Sequence, residues 1–180
     1  MSTAETLLEV MDDERIKAKI TEIVDGESLS KRPFQYAIYK KKGAMQFQLM
    51  NPYSKRNDSG YYKEGTVFLE AAPSQGERKY DWENKIVFSL GVNDLSKIAL
   101  ALRNSTQLSI IHDPNAQTDR AGSITKVFKV EPAQNKGTFY LNLRSTKGSE
   151  IKEASTSIDG NEAFALFNLF SSSISRILGW

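Results

Sequence analysis

Two stretches of the chain repeat the same order of elements, and this repeat limits the possible folds more than any other feature. Each stretch contains four segments of alternating apolar and polar residues, the pattern of β-strands with one buried face, followed by a helical segment. The strand-to-helix corners are also alike, since SLGVND (89–94) and SIDGNE (157–162) lie 68 residues apart. We therefore predict an α+β fold of two antiparallel four-stranded β-sheets, each followed by a helix, as an internal ββββα duplication.

The predicted strands cover 34–40, 44–50, 66–72 and 79–90 in the first half, and 107–113, 124–132, 137–145 and 150–158 in the second. The first helix is predicted to take Asn93 as its N-cap. Its buried stripe is predicted to contain Leu95, Ile98, Ala99 and Leu102.

The second helix is predicted to begin at Asp159, because Glu162 follows three residues later as in a capping box. The run Ser171–Ser173 is predicted to interrupt it. Its apolar stripe consists of Phe164, Phe167, Phe170, Ile174 and Ile177.

Charge is unevenly distributed along the chain, although the net charge is only +2. Residues 1–27 hold eight acids against three bases, which leaves 21 bases and 14 acids in the remainder. Residues 28–57 hold seven bases and no acid. We predict an acidic N-terminal arm or short helix over 1–30 and one domain over 31–180. The acid-free block indicates an anionic partner, with nucleic acid the first candidate.

The motifs of common enzymes and metal sites are missing from the sequence. It has no cysteine and one histidine, His112, which we interpret as a hydrogen-bonded turn residue before Asp113 and Pro114. No phosphate-binding, dinucleotide-binding or nucleophile-elbow pattern occurs. We therefore expect a protein that is not an enzyme and needs no cofactor or metal. No apolar run is long enough to span a membrane and no signal or transit peptide is visible, so we expect a soluble, intracellular, DNA-associated protein.

Basic residues interleaved with aromatic residues on strands are what a sheet needs to bind a single strand, since cations follow phosphates and flat rings stack on bases. Strand alternation places Tyr39, Phe68 and Tyr140 on otherwise polar faces. The full set of predicted nucleic-acid-binding residues is Tyr39, Lys40, Lys41, Lys42, Phe68, Arg78, Lys79, Trp82, Lys126, Tyr140 and Arg144. Within this set Trp82 has two interpretations, stacking on a base or packing in a strand.

These motifs, in this order, resemble the Whirly family of single-stranded DNA-binding proteins, which is related in fold to kinetoplastid mitochondrial RNA-binding proteins. The resemblance covers about 145 of 180 residues. The matching phrases are YKKKGAM (39–45), GERKYDWENKIVFSLGV (76–92), HDP (112–114), KVFKVEP (126–132), GTFYLNL (137–143), EAFALFNLF (162–170) and LGW (178–180). In the first phrase the chain departs from the family motif, with Lys41 in place of a glycine and Gly43 in place of an alanine.

The resemblance implies a homotetramer that assembles through the C-terminal helices, with Phe167, Phe170, Ile174 and Ile177 at the oligomer interface. It also implies binding of single-stranded DNA along the sheets with little sequence preference, in replication, recombination or repair. Two alternatives stay open: an RNA-binding or strand-annealing protein, and a transcription factor that binds promoter DNA. A structural protein that has kept the fold without the binding is a further possibility.

Overall fold

A computed structural model of the chain describes residues 34–54, 62–135 and 137–180. The predicted acidic arm, 1–30, lies outside the described residues, as do Lys31, Arg32, Lys55 and Arg56 of the acid-free block. Residues Gln35–Trp180 form one compact unit.

The described elements alternate in the predicted order of strands, helix, strands and helix. The strands are β1 (Phe34–Lys40), β2 (Gly43–Met50), β3 (Tyr53–Ser54), β4 (Tyr62–Lys63), β5 (Thr66–Gly76), β6 (Lys79–Tyr80), β7 (Ile86–Leu90), β8 (Leu108–His112), β9 (Ile124–Pro132), β10 (Phe139–Lys147) and β11 (Glu150–Ile158). The helices are α1 (Val92–Asn104) and α2 (Gly160–Leu178).

The first sheet has the order β1-β2-β5-β6, and β7 also pairs with β5. The antiparallel register places Gln48, Phe68 and Ser89 side by side, with Phe47, Leu69 and Phe88 side by side on the opposite face. The second set is buried, as the alternation predicts. A separate two-stranded pair joins β3 to β4.

The predicted single strand 79–90 is wrong, because the structure divides it into β6 and β7. The carboxylate of Asp81 accepts hydrogen bonds from the backbone N–H and the side-chain amide of Asn84. An aspartate that binds the backbone of a following residue favours a turn over an extended strand. The first sheet therefore contains five strands where four were predicted.

The second sheet has the predicted four strands, in the order β11-β10-β9-β8. Its buried face carries Val130, Leu141 and Thr156 in one row and Ile110, Phe128, Leu143 and Ala154 in the next. The opposite face carries Lys129, Asn142 and Ser155. Every strand of this sheet was predicted, since each has the alternation of a strand buried on one face.

Helix α1 buries the four predicted stripe residues, but its N-cap is Gly91 and not Asn93. The carboxylate of Asp94 accepts a hydrogen bond from the backbone N–H of Gly91 at 3.2 Å, which closes the first turn two residues earlier than predicted.

Helix α2 begins as predicted, with Asp159 accepting from the backbone N–H groups of Asn161 and Glu162. The helix is not interrupted by its serine run. The hydroxyls of Ser171 and Ser173 donate to the carbonyls of Phe167 and Leu169, so these polar groups are satisfied inside the helix. The buried residues of α2 are Ala163, Leu166, Phe170, Ser173 and Ile177, whereas Phe164 of the predicted stripe is 69% exposed.

The two sheets and both helices share one core, and α1 packs against α2. The sheets approach each other closely at Gly43, where a Cβ atom would lie 2.7 Å from the carbonyl oxygen of Ser155 in β11. At Gly65 the backbone N–H donates to the carbonyl of Ile177, which ties the first sheet to the end of α2. Both glycines lie where any side chain would meet backbone.

Candidate nucleic-acid interface

Three aromatic rings meet at one corner of the first sheet. The ring of Tyr39, at the end of β1, lies 5.5 Å from that of Tyr80 and 6.5 Å from that of Trp82, centroid to centroid. The hydroxyl of Tyr80 donates to the carbonyl of Lys40, which holds β6 against the end of β1. Tyr39 is 55% exposed, so this aromatic cluster offers a ring face to solvent.

Four exposed cations flank the aromatic cluster. Lys41 and Lys42 form the turn between β1 and β2, and Arg78 and Lys79 lie at the turn between β5 and β6. The backbone N–H of Ser74 donates to the carbonyl of Lys42, so the two turns are neighbours in space. We call these four residues the basic corner. It places flat rings beside cations, the combination that single-stranded nucleic acid requires.

Lys40 stands apart from the other predicted lysines. Its ammonium lies 2.8 Å from the carboxylate of Glu162, which belongs to the first turn of α2. That hydrogen bond raises the pKa of Lys40. Lys40 therefore links β1 to α2 within the protomer, and its charge is partly neutralised by Glu162.

Phe68 and Lys126 line one pocket, which no short motif in the sequence indicates. This apolar pocket has a volume of about 400 Å³, and its other walls include Phe88, Ile111 and Pro114. Ile111 is 66% exposed and was missed, although its place in the alternation of LSIIH puts it on the solvent side.

The ammonium of Lys126 donates to the carbonyl of Val87 at 2.7 Å, and burial lowers the pKa of this lysine. Lys126 and Val87 also line a second cavity of about 330 Å³. We call it the lysine pocket, because Lys85, Lys147 and Lys152 lie around it. Sequence reasoning missed these three lysines, since Lys85 precedes Lys147 by 62 residues and lies beside the first sheet, whereas Lys147 and Lys152 belong to the second. Only the packing of the two sheets brings them together.

Tyr140 and Arg144 lie on the exposed face of the second sheet, as predicted. Between them the amide of Asn142 donates to Glu153 at 2.7 Å. Apart from Lys40, the predicted residues thus fall into three groups: the aromatic cluster with the basic corner, the two pockets, and the exposed face of the second sheet.

His112 makes contacts of a structural kind. Its Nε2 lies 3.1 Å from a carboxylate oxygen of Asp94, and its ring stacks on Phe88 at 4.3 Å. It is the last residue of β8, so these contacts tie the second sheet to the start of α1. The carboxylate of Asp113 accepts from the backbone N–H groups of Asn115 and Gly122 and organises the loop that follows.

The four residues predicted at an oligomer interface divide into two pairs. Phe170 and Ile177 are 2% and 0% exposed and belong to the protomer core, where Phe170 packs on Phe47. Phe167 and Ile174 pack at its margin and stay partly exposed. The exposed apolar side chains of the two helices, which sequence reasoning did not assign to an interface, are Leu100, Phe164 and Leu169.

The fold and the exposed aromatic and basic groups define a two-sheet α+β protein of the kind built twice from a ββββα unit. The family model described as Whirly transcription factor matches residues 38–168. The chain belongs to the Whirly family.

A relative from potato (Solanum tuberosum), named single-stranded DNA-binding protein WHY1, chloroplastic, is 32% identical over 166 residues. The match covers 86% of this chain and 58% of that protein, so the chain spans less than two thirds of its length. The crystal structure of WHY3 from Arabidopsis thaliana superposes with a TM-score of 0.75 at 28% identity, over 83% of this chain and 91% of that one.

The fold extends beyond the family. The MRP1/MRP2 structure from Trypanosoma brucei superposes with a TM-score of 0.51 at 12% identity, over 86% of this chain and 92% of that one. This likeness confirms the predicted relation in fold. In the described part of the chain, neither helix is long and apolar enough to cross a membrane.

Proposed function

We propose that this protein binds single-stranded DNA with little sequence preference and without catalysis. The observation that carries the proposal is the exposed aromatic cluster of Tyr39, Tyr80 and Trp82 beside the four cations of the basic corner. The family supports it, because relatives carry the name single-stranded DNA-binding protein. Stacking on a ring contributes about 1–3 kcal/mol per base and tolerates every base, since each has a π face.

Binding of a duplex is less well supported by the described elements. A protein that reads the major groove with a helix needs basic and polar side chains along its exposed face. The basic residues of helix α1 are Lys97 and Arg103, and α2 has one, Arg176. The helical surfaces therefore offer few phosphate contacts, whereas the basic corner lies on the sheet.

Fluorescence anisotropy with labelled single-stranded DNA, a duplex of the same sequence and single-stranded RNA tests the proposal. We expect tight binding of the DNA strand and weak binding of the duplex. With three to five phosphate contacts, the slope of log K against log salt is roughly −2 to −3.5, at about −0.7 per contact. Equal affinity for duplex and single strand contradicts the proposal. Preference for RNA of the same sequence supports the RNA-binding alternative, because only RNA offers a 2′-OH.

A charge reversal at the basic corner sharpens the test. Lys41→Glu with Lys42→Glu is expected to weaken binding and to make the salt slope shallower by about 1.4, because two phosphate contacts are lost. Lys97→Glu removes an exposed lysine from α1 and is the matched control, with binding expected to remain near that of the wild type. Unchanged binding by the double variant places the strand elsewhere on the protein.

We further infer a homotetramer that assembles through the helices and protects exposed strands in replication, recombination or repair. The exposure of the apolar side chains Leu100, Phe164 and Leu169 on the two helices supports the assembly, since burying such groups favours association. Light scattering after size exclusion is expected to give four times the protomer mass. Phe164→Glu is expected to reduce that mass, whereas Ile151→Glu, an exposed apolar residue on β11, leaves it unchanged. A monomer in the wild type contradicts the inference.

The compartment is also a proposal. The relatives from potato and maize are named chloroplastic. We infer that this protein acts in a compartment that contains DNA, either a nucleoid or an organelle matrix. Imaging of the tagged protein together with a DNA stain tests this, and a distribution separate from DNA contradicts it.

A further inference from the structure

The apolar pocket and the lysine pocket are neighbours that share two residues, Val87 and Lys126. The walls of the apolar pocket are mostly apolar, with Phe68, Ile111 and Pro114 among them, and its polar lining residues besides Lys126 are Ser89, His112 and Asp113. The lysine pocket is lined by Lys85, Lys147 and Lys152 together with Glu150. Hence an apolar compartment and a cationic compartment meet at the side chain of Lys126.

A nucleotide has the same two-part chemistry. Its base is flat and mostly apolar on its faces, its phosphate is anionic, and the deoxyribose joins them. If the base enters the apolar pocket and the phosphate enters the lysine pocket, the sugar lies at the junction beside Lys126.

The net charge of the lysine pocket is positive. Lys85 pairs with Glu70 and Lys152 with Glu150, whereas Lys126 and Lys147 have no carboxylate within ion-pair distance among the described residues.

The amine of Lys126 suits nucleophilic chemistry. It is held by one hydrogen bond to the Val87 carbonyl, which leaves its lone pair available once a proton is lost. Burial lowers its pKa, so a larger fraction of this amine is neutral near pH 7 than for an exposed lysine. Desolvation of this kind is one way in which proteins activate lysine to form Schiff bases with carbonyl groups.

We propose that Lys126 captures abasic sites in single-stranded DNA by forming an imine with the C1′ aldehyde of the baseless deoxyribose. The inference rests on the proposed function, since the DNA strand must first bind. Loss of the base opens the sugar to an aldehyde, and its C1′ carbon then lies where the sugar lies, at the junction of the pockets beside Lys126. The neutral amine adds to that carbon, a C–N bond forms, and the carbonyl oxygen leaves as water with two hydrogens of the amine. The step needs no oxidant or reductant.

Borohydride trapping tests the proposal on the full chain. A DNA strand with one abasic site is incubated with the protein, and borohydride reduces the imine to a stable secondary amine. The covalent complex is measured on a denaturing gel, and peptide mapping locates the modified lysine. A strand with a tetrahydrofuran analogue, which has no aldehyde, is the substrate control. Lys126→Arg keeps the charge, and Lys129→Arg changes a lysine on the opposite face of β9 as the matched control.

We expect the wild-type adduct to map to Lys126, and Lys126→Arg to lower the adduct roughly tenfold or more, because a guanidinium does not lose its proton in proteins. Lys129→Arg is expected to trap as the wild type does and to bind intact strands within about threefold of the wild type, since the charge is kept. Mapping of the wild-type adduct to other lysines overturns the inference, whatever the folding of the variants. Binding of intact strands without trapping overturns the inference alone, whereas no binding of any strand overturns the proposed function with it.

Discussion

Replacing Gly43 by alanine tests the tight approach of the two sheets. An added Cβ would lie 2.7 Å from the carbonyl oxygen of Ser155 and 3.0 Å from that of Ala72. Both are backbone atoms, and Cβ atoms do not approach oxygen this closely, so β2 and β11 must move apart. Overpacking of this kind costs about 1–3 kcal/mol. Alanine also recovers roughly 0.5–1 kcal/mol of strand entropy that glycine loses, which leaves a net destabilisation of about 0–2.5 kcal/mol, centred near about 1 kcal/mol.

Thermal and urea unfolding measure this cost. For a protein of this size, the central value of about 1 kcal/mol lowers Tm by about 2–4 °C. Gly160→Ala is the matched control, because a Cβ there meets only the carbonyl of Gly137 at 3.8 Å. At this first residue of α2, alanine is expected to be neutral or to stabilise by about 0.4–1 kcal/mol. If Gly43→Ala is as stable as the wild type, the sheets are not held as closely as the structure has them. The family motif has alanine at this position, so the result also tests whether the approach is tighter in this chain.

Two further predictions concern single side chains. If the ring of Trp82 stacks on a base, Trp82→Ala is expected to cost roughly 1–3 kcal/mol of DNA-binding free energy, about 5- to 150-fold in Kd. Trp180→Ala, at an exposed position at the end of the chain, is the control. Equal affinities of Trp82→Ala and the wild type in an anisotropy titration refute a stacking role. The Cε resonance of Lys126 is expected to titrate below the value of about 10.4 of a free lysine. At pH values between the lowered pKa of Lys126 and the pKa of a free lysine, the unfolded chain binds more protons than the folded one. This lysine therefore makes the free energy of unfolding rise with pH across that interval. An NMR titration of Lys126 with the pKa of a free lysine contradicts the burial.

Much of the fold and part of the site follow from local patterns in the sequence. Alternation identified the strands of the second sheet and placed Tyr39 and Tyr140 on exposed faces, because side chains of a strand point to opposite sides whatever the strand pairs with. The capping box at Asp159 was equally readable, since its partners lie within three residues. The order of elements then suggested two similar units.

Where local signals compete, the sequence alone was misleading. The aromatic and apolar run after Lys79 reads as one strand, yet the hydrogen bonds from Asn84 to Asp81 make a turn within it. The helix stripe suggested one face for Phe164 and Phe170 alike, but packing against the core buries only Phe170. Periodicity shows only approximately which residues share a face of a helix. The width of the buried stripe depends on the elements that pack against that face.

The sequence by itself determined the strands of the second sheet, the start of α2 and the occurrence of basic residues beside aromatic ones at the turns. Only the tertiary structure decided that Lys40 is bound to Glu162 and that Lys126 meets the edge of β7 at Val87. It also gathered Lys85, Lys147 and Lys152 around one pocket. The reason is physical: strand alternation and caps arise from neighbours along the chain, whereas ion pairs and pockets arise from residues that only sheet register and packing bring together.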